Sequence, residues 1–143
     1  MFNKLCIIGV GLIGGSIARA CKENKLAKQV IGTGRRQENL QKAVDLGVID
    51  GYENSVTAAV KDADLVVICS PVGSFEKVFT ELKATWSETC VYTDVGSTKE
   101  SVINALAAVF VDIPGNFVAA HPIAGSEQNG VEASMADLFV DKR

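Results

Sequence analysis

The chain has one histidine, one tryptophan and three prolines in 143 residues. Its four cysteines, Cys6, Cys21, Cys69 and Cys90, include no C-x-x-C pair, so neither a thiolate metal site nor a dithiol redox motif is expected. They read instead as reduced, buried thiols of a cytoplasmic protein. No apolar run approaches the about 20 residues that span a bilayer, and Met1-Phe2-Asn3-Lys4 leads directly into strand-like sequence, so neither a membrane segment nor a signal peptide is expected. The net charge is −3, with basic residues scattered rather than clustered, which argues against nucleic acid as a partner. There is no solenoid repeat and no low-complexity linker. One further absence is local: no Asp or Glu occurs from Lys25 to Gln37.

What is present is a globular composition, 48% hydrophobic and 22% charged, in a length that suits one domain spanning residues 1–143. Its organising stretch runs from Lys4 to Ser16. Leu5 to Ile8 read as a buried strand. Gly9, Gly11 and Gly14 follow at G-x-G-x-x-G spacing, with Leu12 and Ile13 inside the turn. Apolar residues then recur at helical spacing at Ile13, Ile17, Ala20 and Cys21. The glycine pattern alone is weak; between a strand and a helix it marks the phosphate-binding turn of a dinucleotide fold. Gly9 permits the sharp turn, Gly11 admits a pyrophosphate against bare backbone, and Gly14 lets the helix pack on the strand. The helix start aims N–H groups and its positive dipole end at the phosphates.

Strands and helices alternate beyond this point. Strands are expected at Gln29 to Thr33, within Val48 to Asn54, at Leu65 to Cys69, Cys90 to Asp94 and Phe117 to Ala120. Helices are expected at Gln37 to Leu46 with Gly47 as terminator, at Ser55 to Lys61, on the Phe75/Val78/Phe79/Leu82/Trp86 face, on the Val102/Ile103/Leu106/Val109/Phe110 face, and near Val131 to Leu138. The expected fold is α/β: a doubly wound, mostly parallel sheet of the Rossmann type with helices on both faces. Its ligands belong at the carboxyl ends of the strands, where Gly9, Gly34, Ser70, Asp94 and His121 fall.

An NAD enzyme of this kind places a carboxylate about 20 residues beyond the glycine turn, on the adenosine ribose. Here the second strand ends Thr33-Gly34-Arg35-Arg36. A carboxylate would repel a 2′-phosphate, whereas a guanidinium binds it with two parallel hydrogen bonds. NADP is therefore expected over NAD, with Arg35 the leading contact and Arg36 and Thr33 secondary. A solvated pair of arginines is the competing reading.

His121 directly follows a strand and can accept a proton near neutral pH, as removal of a hydride from an alcohol requires. A histidine bonded into a turn is the alternative. Ser97 and Glu100 match the S-x-x-E capping box of the next helix, a structural role that does not exclude a ligand contact. Taken alone, Glu127 reads as a surface residue.

Four pieces occur in order: G-V-G-L-I-G-G-S (Gly9 to Ser16), V-V-I-C-S-P-V (Val66 to Val72), D-V-G-S-T-K (Asp94 to Lys99) and H-P-I-A-G-S-E-Q-N-G (His121 to Gly130). Together they resemble the prephenate and arogenate (cyclohexadienyl) dehydrogenases of tyrosine biosynthesis, over nearly the whole chain. The histidine block is the most specific piece. The resemblance implies oxidative decarboxylation of prephenate or arogenate by hydride transfer to a nicotinamide cofactor. It implies that His121 polarises the ring hydroxyl and that Ser97 helps orient it. It also implies that Glu127 governs substrate access and that Ser70 and Pro71 cover the cofactor. Many members carry Asp at the position of Gly34 and use NAD, so this chain looks like an NADP-using variant. The family also has a C-terminal helical domain that forms a homodimer and binds the substrate carboxylate; it lies outside these 143 residues. Two other readings remain: an NADP-binding module inert without a substrate domain, and a related hydroxyacid dehydrogenase or reductase.

Overall fold

The computed structural model describes residues 1–122 and 129–142. Its elements run β1 (Phe2–Ile8), α1 (Leu12–Glu23), β2 (Ala27–Thr33), α2 (Gln37–Asp45), β3 (Gly51–Tyr52), α3 (Val56–Ala59), β4 (Leu65–Ile68), α4 (Phe75–Lys83), β5 (Val91–Asp94), α5 (Lys99–Val109) and β6 (Phe117–Val118). The sheet order is β3-β2-β1-β4-β5-β6, and every pairing is parallel. This is the Rossmann order, with its reversal between β1 and β4.

Both faces of the sheet are buried, and the period-two alternation of the strands feeds two cores. Cys6, Ile8, Val66 and Ile68 join Phe75, Val78, Phe79 and Leu82 of α4 and Val102 and Leu106 of α5 on one face. Leu5, Ile7 and Val67 join Ala18, Leu40 and Ala43 of α1 and α2 on the other. Continuous aliphatic runs such as Leu65–Ile68, three of whose four residues are β-branched, are what a doubly covered parallel strand requires. The expected apolar face of α4 is the buried face, and each such side chain contributes about 1.5–3 kcal/mol. Trp86 lies just past the helix and stacks on Tyr92 at 3.6 Å between ring centroids.

Three local expectations are corrected. The buried residues of α1 are Gly14, Gly15, Ser16 and Ala18, while Ile13, Ile17 and Cys21 are only half-buried. The reason is close approach: a Cβ on Gly15 would stand 2.9 Å from that of Ser134, so residues 131–134 lie directly on the helix. Second, Val131 to Leu138 forms no α-helix but a 3-10 turn at Val131–Ala133. Ser134 is extended, its hydroxyl accepts from Arg19 Nε at 2.8 Å, and Met135 N–H donates to Ser16 Oγ at 3.0 Å. The bond to Ser16 takes a backbone N–H that a continued helix would use. Third, the Ser97/Glu100 capping box does not form. The N-cap of α5 is Thr98, without a side-chain bond, and Ser97 is exposed.

No helix among the described residues is long and apolar enough to cross a membrane.

Candidate dinucleotide site

The register places Thr33, Ile8, Ile68 and Asp94 in one row across β2, β1, β4 and β5. Backbone bonds carry the ladder one residue further, with Gly9 N–H donating to Thr33 O at 2.9 Å and Cys69 N–H to Ile8 O at 2.7 Å. The residues after each strand therefore share one rim.

On this rim the glycines divide their work. Gly9 has φ +94°, and a Cβ there would stand 2.7 Å from the Ser70 nitrogen. A Cβ on Gly14 would stand 2.2 Å from the Gly9 carbonyl oxygen. Both positions are closed by backbone. Gly11 is the opposite, with nothing within 4 Å of its Cβ direction. It is also the N-cap of α1 and supplies no side-chain cap, so the first turn, with Leu12 and Ile13, presents a bare helix start. A tight turn, an open glycine and an uncapped helix start fit a pyrophosphate.

Beside this turn lies a cavity of about 670 Å³, large enough for the adenosine end of a dinucleotide. Of the residues singled out from sequence, Gly9, Gly11, Thr33, Arg35 and Arg36 line it. Ser70 and Pro71 line it as well, on the far side of the switch point. Their loop is held by Ser74, whose hydroxyl donates to Pro71 O at 2.7 Å and lies 3.0 Å from Ser70 Oγ. Leu12, Ile13 and Gly14 stand behind the turn rather than in the cavity wall. No carboxylate from β2 or α2 faces the cavity; among the described residues Glu81 of α4 is the one acid in its lining. Cys69 also lines it, and burial together with the Asp94 carboxylate pushes its thiol up, so it remains a neutral packing group.

The other end of the rim carries Asp94, Ser97 and His121, and none of these lines the cavity. Ser97 and His121 are exposed, whereas Asp94 is fully buried. Sequence reading placed Asp94 on the rim without assigning it a task. Its carboxylate accepts from Gly96 N–H at 2.8 Å and Ala120 N–H at 3.1 Å, and pairs with the Lys99 ammonium. Lys99 also donates to Ala120 O. One ion pair thus grips both backbone polar groups of Ala120, the residue before His121. The signal was an acid closing a strand five residues before a lysine, but the partner at Ala120 is visible only in the fold. Glu127 lies outside the described residues. Among the described residues no group of three or more His, Cys, Asp or Glu side chains is placed to hold a metal ion.

Sheet order, glycine turn and rim cavity define a Rossmann-type nucleotide-binding domain. The profile of one such family, "Prephenate dehydrogenase, nucleotide-binding domain", matches residues 17–143, and the chain belongs to that family. The chain is 39% identical over 142 residues to a prephenate dehydrogenase of Bacillus subtilis (strain 168), covering 97% of this chain and 38% of that protein. Its fold is similar to a crystal structure of prephenate dehydrogenase from A. aeolicus in complex with hydroxyphenyl propionate and NAD+. The TM-score is 0.89 at 34% identity, covering 99% of this chain and 49% of that one. A Synechocystis arogenate dehydrogenase structure matches with a TM-score of 0.81 at 26% identity, covering 97% of this chain and 48% of that one. The chain therefore spans less than half the length of these relatives.

Proposed function

We propose that this chain is the cofactor-binding part of an NADP-dependent dehydrogenase that oxidatively decarboxylates prephenate or arogenate in tyrosine biosynthesis. The observation that carries the cofactor reading is the cavity wall: Thr33, Arg35 and Arg36 stand where a ribose-binding carboxylate would exclude a 2′-phosphate. Held by the Gly9–Gly14 turn and the adjoining cavity, a nicotinamide cofactor would supply the acceptor for the hydride leaving the carbon that bears the ring hydroxyl. His121 would take the hydroxyl proton as that carbon becomes a carbonyl, and Ser97 would help to orient its imidazole. Loss of carbon dioxide from the opposite ring carbon then leaves an aromatic ring, and the proton returns to the phenolic oxygen. Asp94 and Lys99 would fix His121 through Ala120, and Glu127 would act on substrate access. The substrate carboxylate and a homodimer interface would belong to a further helical domain, and the cytoplasm is the compartment such an enzyme would occupy.

A second reading concerns the 143 residues by themselves. Ser97 and His121 are exposed and outside the cavity, so the isolated chain would hold NADP without turning over substrate. Side-by-side assays of prephenate and arogenate with NADP and NAD, on this chain and on its full-length gene product, test both. Turnover by the chain alone would remove the inert-module reading. Absence of dehydrogenase activity in the full-length product with either substrate would overturn the first.

A further inference from the structure

The arginine wall is one side of the adenosine cavity. Another side is α4, which contributes Ser74 at its N-cap and then Lys77, Val78 and Glu81. These four fall at i, i+3, i+4 and i+7, a single helical stripe. The short helix α3, whose Val56 also lines the cavity, packs against both α4 and β2 and so draws this stripe toward the end of β2. Lys77 is exposed, and among the described residues it makes no hydrogen bond or ion pair. Glu81 lies one turn further on, yet the two are not within ion-pair distance; a lysine four residues before a glutamate is the weaker orientation of such a pair.

The charge balance of the cavity is the second observation. The chain as a whole carries −3, yet among the described residues its cavity is lined by Arg35, Arg36 and Lys77 against Glu81. An ordinary solvated face of an acidic protein would not concentrate cations in one concave site. The turn at Gly11 already accounts for the pyrophosphate, so these cations are left for an anion at the adenosine end.

We infer that Lys77 is a specificity-determining residue, supplying from α4 a third cation for the 2′-phosphate of NADP, with Glu81 as its opposing charge. This rests on the NADP reading above. Arg35 and Arg36 offer planar forks, whereas Lys77 acts as a point charge on a flexible stem. A phosphate held between two walls also ties α4 to the end of β2.

Binding of adenosine 2′,5′-bisphosphate and of adenosine 5′-monophosphate to the 143-residue chain tests this, because the two differ only by the 2′-phosphate. Calorimetry on the wild type should show the bisphosphate binding more tightly. Lys77→Met should weaken the bisphosphate about fivefold to tenfold and leave the monophosphate within about twofold, as loss of one exposed charged contact implies. Glu81→Gln should move the preference the other way. Both side chains lie at the helix surface, and unchanged thermal melting would show that the fold is retained. Equal weakening of both ligands, or no change in either, would overturn the role of Lys77 while leaving Arg35 and the NADP reading standing. A wild type without preference for the bisphosphate would overturn the NADP reading and this inference together.

Discussion

The two ends of the sheet rim are built differently. At the β1–β4 switch point the backbone itself makes the site: Gly9 and Gly14 are closed by neighbouring backbone, Gly11 is open, and a walled cavity adjoins them. At the β5–β6 end the support is built and the groups proposed for catalysis stand bare. Asp94 is buried and fully bonded, while Ser97 and His121 are exposed. On the proposed reading, the part of the site that binds a cofactor is complete within these residues and the part that does chemistry is open on one side. Under the proposed function, the open side is where substrate and a second domain would come.

If the two ends are separable, a change at one should leave the other intact. The largest expected effect is at His121. In the full-length product, His121→Asn should lower kcat about 10²–10⁴-fold, the usual loss on removing a general base, with the NADP Kd within about twofold. Steady-state kinetics and cofactor titration check this, and a near-normal kcat would make His121 structural. Next is the support beneath it. Asp94→Asn leaves the Lys99 ammonium without its carboxylate and should cost about 3 kcal/mol in urea unfolding, the low end for breaking a buried pair because Lys99 is partly exposed. A loss below about 0.5 kcal/mol would mean that the pair is not holding the β5–β6 end.

At the other end, Gly14→Ala forces α1 off the turn, since its Cβ would meet the Gly9 carbonyl oxygen. A destabilisation of about 2 kcal/mol is expected from such overpacking, together with weakened NADP binding. Unchanged binding would show that the turn has slack. The smallest effect lies outside both ends. Burial alone would raise the Asp50 carboxyl, but Lys22 Nζ and Val30 N–H bond to it and hold it below the usual aspartate value. The stability this contributes is present above the unfolded-state pKa of about 4 and is lost as pH falls through the lower folded value. Asp50→Asn should therefore flatten the acid limb of the stability curve, and an unchanged acid limb would remove Asp50 from it.

The difference between the ends also marks what the sequence made legible. The β1 turn could be read because strand, glycines and helix are contiguous, and the α4 core face because Phe75, Val78, Phe79 and Leu82 keep helical period. Arg35 and Arg36 could be placed by counting from Gly14. Lys77 could not, because it reaches the cavity only through the packing of α3 and α4. The grip of Asp94 and Lys99 on Ala120 joins positions 26 and 21 apart, beyond any local pattern. The small-residue face of α1 is illegible in sequence for the same reason, since its partner is Val131 to Ser134. The S-x-x-E pattern at Ser97 is not a capping box because Asp94 takes the Gly96 N–H and Lys99 folds back to it, so α5 begins one residue late.

Under the proposed function, the wall of Thr33, Arg35 and Arg36 reads a 2′-phosphate. Titration of the 143-residue chain with NADP and NAD, beside its Arg35→Met variant, tests it most directly. NADP should bind more tightly than NAD, and the variant should lose about tenfold for NADP while keeping its NAD affinity. Tighter binding of NAD to the unaltered chain would overturn the NADP reading.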